Sequence, residues 1–128
     1  MIRVSAFRWV PPFARGLVRD LRVRWALEEA GLPYEQRLIG PEDQRSESYR
    51  RLQPFGQVPA YEEDGLVLFE SGAIVLHVAE RSEALMPRDP NRRARVTAFP
   101  VLDAYRERCE TRPAFQKALA DQMAAFSP

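Results

Sequence analysis

The sequence holds one cysteine, Cys109, and one histidine, His77, among 128 residues. A lone cysteine cannot close an intramolecular disulfide, and it excludes a CxxC redox pair or a cysteine-built zinc centre. No His, Cys, Asp and Glu constellation with ligand spacing is visible, so no metal is expected. Lysine is almost missing: of the 19 basic residues only Lys117 is one. That arginine bias fits the base composition of a GC-rich bacterium and is given no chemical weight. Charge of one sign is not in excess either. The formal net charge is +1, which calls for neither nucleic acid nor an anionic membrane surface. Long apolar runs are lacking, and from Ile2 onward polar and apolar residues alternate where a signal peptide would have its apolar core. The expectation is a cytoplasmic protein with no membrane attachment.

What is present suits one globular domain with a small appendage, since 45% of the residues are hydrophobic and 29% charged. Ile2, Val4 and Ala6 alternate with Arg3 and Ser5, the period of a strand. After Val10-Pro11-Pro12, two apolar stripes follow that do not share a phase. Phe13, Leu17 and Leu21 form one; Val23, Ala26, Leu27 and Ala30 form the other. A delayed helix start near Asp20, with Asp20 as N-cap, reconciles them. Gly31-Leu32-Pro33 stops that helix. Tyr34 to Ile39 reads as a second strand, and a short helix fits around Ser46 to Leu52. Val58 to Tyr61 and Leu66 to Phe69 flank Asp64-Gly65, the signature of a hairpin turn. Ile74, Val75 and Val78 then mark a helix opening near Ser71 and ending by about Glu83. The order βαβαββα makes an α/β domain over residues 1–82 with helices on both faces of its sheet. Residues 83–128 read as an all-α tail. Asp89-Pro90 opens one helix, Pro100 interrupts it, and Thr111 with Pro113 opens a last helix carrying Phe115, Leu119, Met123 and Phe126 on one face.

Two short segments carry the chemistry. In Gln57-Val58-Pro59-Ala60 a proline opens a strand, where its missing N–H does no harm. Glu70-Ser71-Gly72-Ala73 opens a helix, whose free N–H groups and positive dipole end favour a carboxylate, while Glu70 suits a neighbouring ammonium. One α-amino acid head group presents both charges. Each segment alone has an ordinary structural reading, a trans proline at a strand edge and a serine N-cap. Their order and spacing across a hairpin is what shifts the balance.

Together with Val23-Arg24-Trp25-Ala26-Leu27-Glu28-Glu29-Ala30-Gly31-Leu32-Pro33-Tyr34-Glu35, these segments resemble the glutathione S-transferase family over essentially the first 81 residues. The resemblance implies a thioredoxin-like fold, a cis Pro59, and glutathione as co-substrate. Val58 would pair with the cysteinyl backbone, Glu70 and Ser71 would hold the γ-glutamyl end, and Gln57 would lie near the glycyl end. In the tail, Asp89 to Ala98 and Phe99 to Phe115 are similar to the beginning and the closing helices of the family's helical domain. The helices expected between them are missing, with a junction near Thr97 to Phe99, so most of the electrophile pocket and much of the usual dimer interface would be lacking. A homodimer stays open.

The family usually activates the thiol with a Ser, Tyr or Cys just after the first strand. Matching Pro12-Phe13-Ala14-Arg15 to the family's phrase puts Pro11 there, and proline donates nothing. Arg15 is the weak substitute, and a solvated arginine is its simpler reading. Trp9 reads as core more than as a wall of the site, Cys109 and His77 as structural, and Arg92, Arg93 and Arg95 as a solvated face. The functional expectation is glutathione binding, with conjugation to a small electrophile. The alternatives are a non-catalytic binding or adaptor module and an internally deleted, inactive relative.

Overall fold

The alternating apolar residues of the first strand order the whole sheet. In the computed structural model, which describes residues 1–92 and 110–126, β1 (Ile2–Phe7) lies inside a four-stranded sheet of order β2-β1-β3-β4. β2 (Tyr34–Ile39) runs parallel to it, Ile2 facing Tyr34 and Phe7 facing Ile39. β3 (Ala60–Glu63) is antiparallel, with Val4 opposite Tyr61, and β4 (Leu66–Phe69) closes the hairpin. Asp64 and Gly65 both take positive φ, 48° and 89°, as a tight two-residue hairpin turn requires.

The helices cover both faces. α1 (Asp20–Ala30) and α4 (Ser71–Glu80) pack on one face, burying Val23, Leu27, Ile74 and Val78 against Ile2, Val4 and Tyr61. Each such side chain contributes about 1.5–3 kcal/mol relative to exposure. α2 (Pro41–Arg45) and α3 (Glu47–Arg50) lie on the other side, where Tyr49 packs with Ile39, Val58 and Ala60. The sequence predicts one short helix here, and the structure has two, divided at Ser46. Its hydroxyl oxygen accepts the Tyr49 N–H at 3.1 Å and so caps the second.

The helix start at Asp20 falls where the two stripes change phase, and Phe13 and Leu17 upstream are exposed. Asp20 is not the N-cap, however. Arg19 occupies that position without a side-chain cap, and Asp20 is turned inward, 1% exposed, onto Arg24. Trp9, expected in the core, is 65% exposed. In the tail, Asp89 caps a helix that begins at Pro90, its Oδ1 accepting the Arg92 N–H at 2.8 Å. The last helix, α5 (Pro113–Ala124), has Arg112 at its N-cap position instead of Thr111. Its buried face is rotated from the predicted one: Ala118, Gln122 and Phe126 are buried, whereas Met123 is exposed. The rotation follows from what α5 rests on, because polar groups of α1 claim Gln122. Arg93, Arg95, Pro100, Cys109 and the junction near residues 97–99 lie outside the described residues.

Candidate functional site

The segment around Pro59 is held from behind by a buried relay. The Tyr49 hydroxyl donates to the Gln57 carbonyl at 2.5 Å. A phenol has one proton, so the Ser5 hydroxyl must be the donor in the 2.8 Å bond between it and Tyr49. Ser5 Oγ in turn accepts the Ala60 N–H at 2.7 Å. Both ends of the Gln57 to Ala60 run are thereby fixed to β1 and α3. Burial pushes the Tyr49 phenol up from its ordinary pKa, so it keeps the proton this relay uses. Within the run, the Val58–Pro59 bond is cis. Among the described residues neither the N–H nor the C=O of Val58 has a hydrogen-bond partner, although its side chain is buried. Two unpaired main-chain groups beside a strand edge are free to pair with an extended chain.

Across β3, the turn into α4 supplies the opposite wall. Glu70 adopts φ 71° and ψ 114°, a conformation that costs a non-glycine residue of order 1–3 kcal/mol. Its carboxylate is exposed and forms no ion pair among the described residues. Ser71 is the first residue of α4 and not its cap, and its hydroxyl bonds to nothing among the described residues. The first-turn N–H groups of α4 lack intrahelical partners by construction. Gln57, Val58, Pro59, Glu70 and Ser71 therefore line one cleft, and Arg19 and Gln53 line it with them. Gln53 is fully buried, its Oε1 accepting the Phe55 N–H at 2.7 Å.

Pro11 and Arg15 do not line this cleft. The Pro11 carbonyl accepts the Ala14 N–H in a 3-10 turn over Pro12–Ala14, and Arg15 is half-buried, with its Nε meeting no acceptor. The connection from β1 to α1 is longer than the matched phrase assumes, so the residue it delivers to the cleft is Arg19. Sequence reading missed Arg19 and Gln53. The signal that was available is the late helix start, which places residue 19, not residue 11 or 15, at the mouth of α1.

A larger cavity of about 430 Å³ lies elsewhere, between the end of α1, the start of β2 and α5. Its charged groups already satisfy one another: Lys117 Nζ stands 2.6 Å from Glu28 and 3.0 Å from Asp121. The Tyr34 hydroxyl there is buried without a partner, and burial pushes its pKa up to about 12. This cavity is lined by the C-terminal end of α1 and the edge strand β2 and offers no helix N-terminus to a carboxylate, so size does not identify the chemical site here.

The model of the glutathione S-transferase N-terminal domain matches residues 14–80. This chain belongs to the glutathione S-transferase family. It is 42% identical over 65 residues to glutathione S-transferase hmp2 of Hypomyces subiculosus, covering 49% of this chain and 31% of that protein. A glutathione S-transferase of Hyoscyamus muticus is 32% identical over 92 residues, 67% of this chain and 43% of that one. Among solved structures, the theta class glutathione S-transferase of Xanthomonas axonopodis pv. citri, with glutathione bound, superposes with a TM-score of 0.57 at 34% identity, covering 73% of this chain and 43% of that one. The chain thus spans less than half the length of these transferases. Its mixed sheet and flanking helices are the thioredoxin-like N-terminal fold of the family.

His77, on α4, packs edge-on against Tyr61 with ring centres 5.5 Å apart, and its Nε2 is 4.0 Å from Glu63. It stands outside the cleft lining. Among the described residues no three His, Cys, Asp or Glu side chains gather as a metal would need, and no helix is long and apolar enough to cross a membrane.

Proposed function

We propose that this chain binds glutathione in the cis-proline cleft and conjugates it to a small electrophile in the cytoplasm. The observation that carries the reading is the convergence, across β3, of the unpaired main chain of Val58 with the α4 N-terminus at Ser71 and the unpaired carboxylate of Glu70. Val58 pairs with the cysteinyl main chain through its N–H and C=O. Ser71 and the α4 amides take the γ-glutamyl carboxylate, and Glu70 takes the adjacent ammonium. Gln57 lies toward the glycyl end. The reaction is attack by the glutathione thiolate on an electrophilic carbon. With an aryl halide, the C–S bond forms, halide leaves with the bonding pair, and the thiol proton goes to solvent. The family commonly forms dimers, and a homodimer is the assembly in keeping with this reading.

The second reading is a non-catalytic glutathione-binding or adaptor module. It is favoured by the cleft lining, which contains no Ser, Tyr or Cys from the β1–α1 connection. Thermal unfolding with and without millimolar reduced glutathione, followed by an aryl-halide assay, separates the outcomes. Glutathione is expected to raise the Tm of the wild-type chain, because a ligand of the native state stabilises it by RT ln(1 + [L]/Kd). Ser71→Ala should lose most of that rise. A Tm that ignores glutathione sinks the binding reading, and a rise without turnover leaves the adaptor.

A further inference from the structure

The sheet ends at β2 and leaves that edge open. In the order β2-β1-β3-β4, one side of β2 meets β1 and the other meets no strand. The Ile39 carbonyl accepts the Arg8 N–H at 2.9 Å, so Ile39 turns its main chain toward β1. In a parallel ladder alternate residues do the same. The main-chain groups of Gln36 and Leu38 therefore point away from the sheet, and no described residue pairs with them. Natural edges are commonly blunted by a bulge, a proline or outward charge. Tyr34–Ile39 contains no proline and pairs with β1 residue for residue. Its two charges are engaged within the sheet, Glu35 with Arg3 and Arg37 with Glu62.

Tyr34 and Gln36 stand opposite Ile2 and Val4 in the β1–β2 pair, on the face of the sheet that α1 covers. There they line the 430 Å³ cavity, whose other walls are the end of α1 and α5, so the cavity adjoins the open edge. Its charges do not balance. Glu28 and Asp121 share one ammonium, that of Lys117, at 2.6 and 3.0 Å, which leaves one negative charge unmatched. Gly31, whose φ of 66° ends α1, lines the same cavity, so the negative end of the α1 dipole adds to that excess. The Lys117 side chain is 59% exposed and that of Glu28 only 16%. The chain thus supplies its own example of a cation reaching from solvent to a sheltered carboxylate. Leu27, Leu32 and Pro33 give the cavity apolar walls suited to the alkyl stem of such a side chain.

We infer that the open edge of β2 is a docking site for an extended basic peptide of another protein. The peptide adds to the sheet as a further strand, its main chain pairing with Gln36 and Leu38. One of its lysine or arginine side chains enters the cavity and meets Glu28 and Asp121. Main-chain pairing supplies affinity for any extended chain, and the cavity selects the charge. A second copy of β2 fits less well, because Tyr34, Gln36 and Leu38, its residues on the cavity face, bring no cation. None of the cavity residues lines the cis-proline cleft, so this site stands apart from the glutathione reading.

The test titrates the full chain with a capped octapeptide that alternates threonine and valine around one central lysine. One control peptide carries glutamate in place of the lysine. Another is methylated at alternate main-chain nitrogens, which removes strand pairing and keeps the charge. The lysine peptide should slow hydrogen exchange at the Gln36 and Leu38 amides by about tenfold or more. Both controls should bind about tenfold more weakly. Asp121→Asn should weaken the lysine peptide about threefold, and Lys117→Met, which removes the resident cation, should tighten it by about the same factor. Both replaced side chains lie at the surface of α5, and an unchanged Tm confirms that the variants fold. Equal binding of the lysine and glutamate peptides overturns the proposal. So does a lysine peptide that binds without protecting Gln36 and Leu38, or none that binds at millimolar concentration. Protection that grows with protein concentration alone would give the edge to a second copy, and displacement of the peptide by glutathione would move it to the cis-proline cleft. Either result overturns the assignment.

Discussion

Helix α1 is held on two sides by two different kinds of chemistry. Toward the sheet and α4 its contacts are apolar: Val23, Ala26 and Leu27 meet Ile2, Val4, Ile74 and Val78. Toward α5 they are mostly charged. Arg112 of the tail forks onto both carboxylate oxygens of Glu29, Lys117 bridges Glu28 and Asp121, and Gln122 reaches Asp20. One aromatic pair, Trp25 edge-on to Phe115 at 5.0 Å between ring centres, supplements them. The apolar side sets the fold, since burial of that kind is tolerant of salt and pH. The charged side sets where one helix sits on an already formed domain, and its strength depends on solution conditions. The same charged side also fixes residues 18 and 20, so the tail bears on the cleft without lining it.

The largest effect is expected at the buried ion pair that Gln122 closes over on that charged side. Asp20 and Arg24 are both 1% exposed, and the terminal nitrogens of Arg24 meet no acceptor among the described residues. Asp20→Ala strands a buried cation and should cost about 3–5 kcal/mol in chemical denaturation. Replacing both, Asp20→Ala with Arg24→Met, should return most of that loss. A double variant as unstable as the single one would show that the pair contributes more than mutual neutralisation. Next in size is the apolar side. Ile74→Val should cost about 0.5–1.5 kcal/mol, with no dependence on salt between 0.05 and about 0.5 M. If salt changes that difference, the division between the two sides of α1 is wrong.

Smaller still are the exposed bridges. The Lys117 and Arg112 side chains are each more than half exposed, so Lys117→Met should cost about 0–1 kcal/mol, shrinking as salt rises. Acid gives a related test at Glu63. The Tyr61 hydroxyl and Arg81 both donate to this carboxylate and hold its pKa below the ordinary 4.5. Between the folded and unfolded values the unfolded chain binds more protons, so Glu63 contributes stability above about pH 4.5 that is lost as pH falls through its lowered folded value. The Tm difference between the wild-type chain and Glu63→Gln should therefore be present at pH 7 and shrink steadily as pH falls below about 4.5. A difference that persists there would mean the carboxylate charge is not what Arg81 stabilises.

The apolar side of α1 is the side that could be read from the sequence. Alternation in Ile2, Val4 and Ala6, the strand at Tyr34–Ile39 and the Asp64-Gly65 turn each express a local rule, and the structure follows them. The cleft was partly legible for the same reason. Val58-Pro59 and Glu70-Ser71 are local signals on strand and helix starts, and the structure brings them together. Arg19 was not legible, because nothing in its neighbours fixes the length of the β1–α1 connection, and a residue placed by Gln122, more than a hundred positions away, carries no local mark. Asp20 was read as an N-cap on the same local grounds, and the structure buries it against Arg24 instead. A charged pair is buried only when a distant partner closes over it, and here that partner is a glutamine on a helix whose own apolar stripe, read alone, points Met123 inward instead.

The central claim, that the cis-proline cleft and not the larger cavity is the glutathione site, is tested most directly by following backbone amide resonances during titration with reduced glutathione. The account predicts that Val58, Ser71, Gly72 and Arg19 shift together with one dissociation constant, while Leu32, Tyr34 and Lys117 do not. Shifts confined to Leu32, Tyr34 and Lys117, or none anywhere at millimolar glutathione, would contradict it.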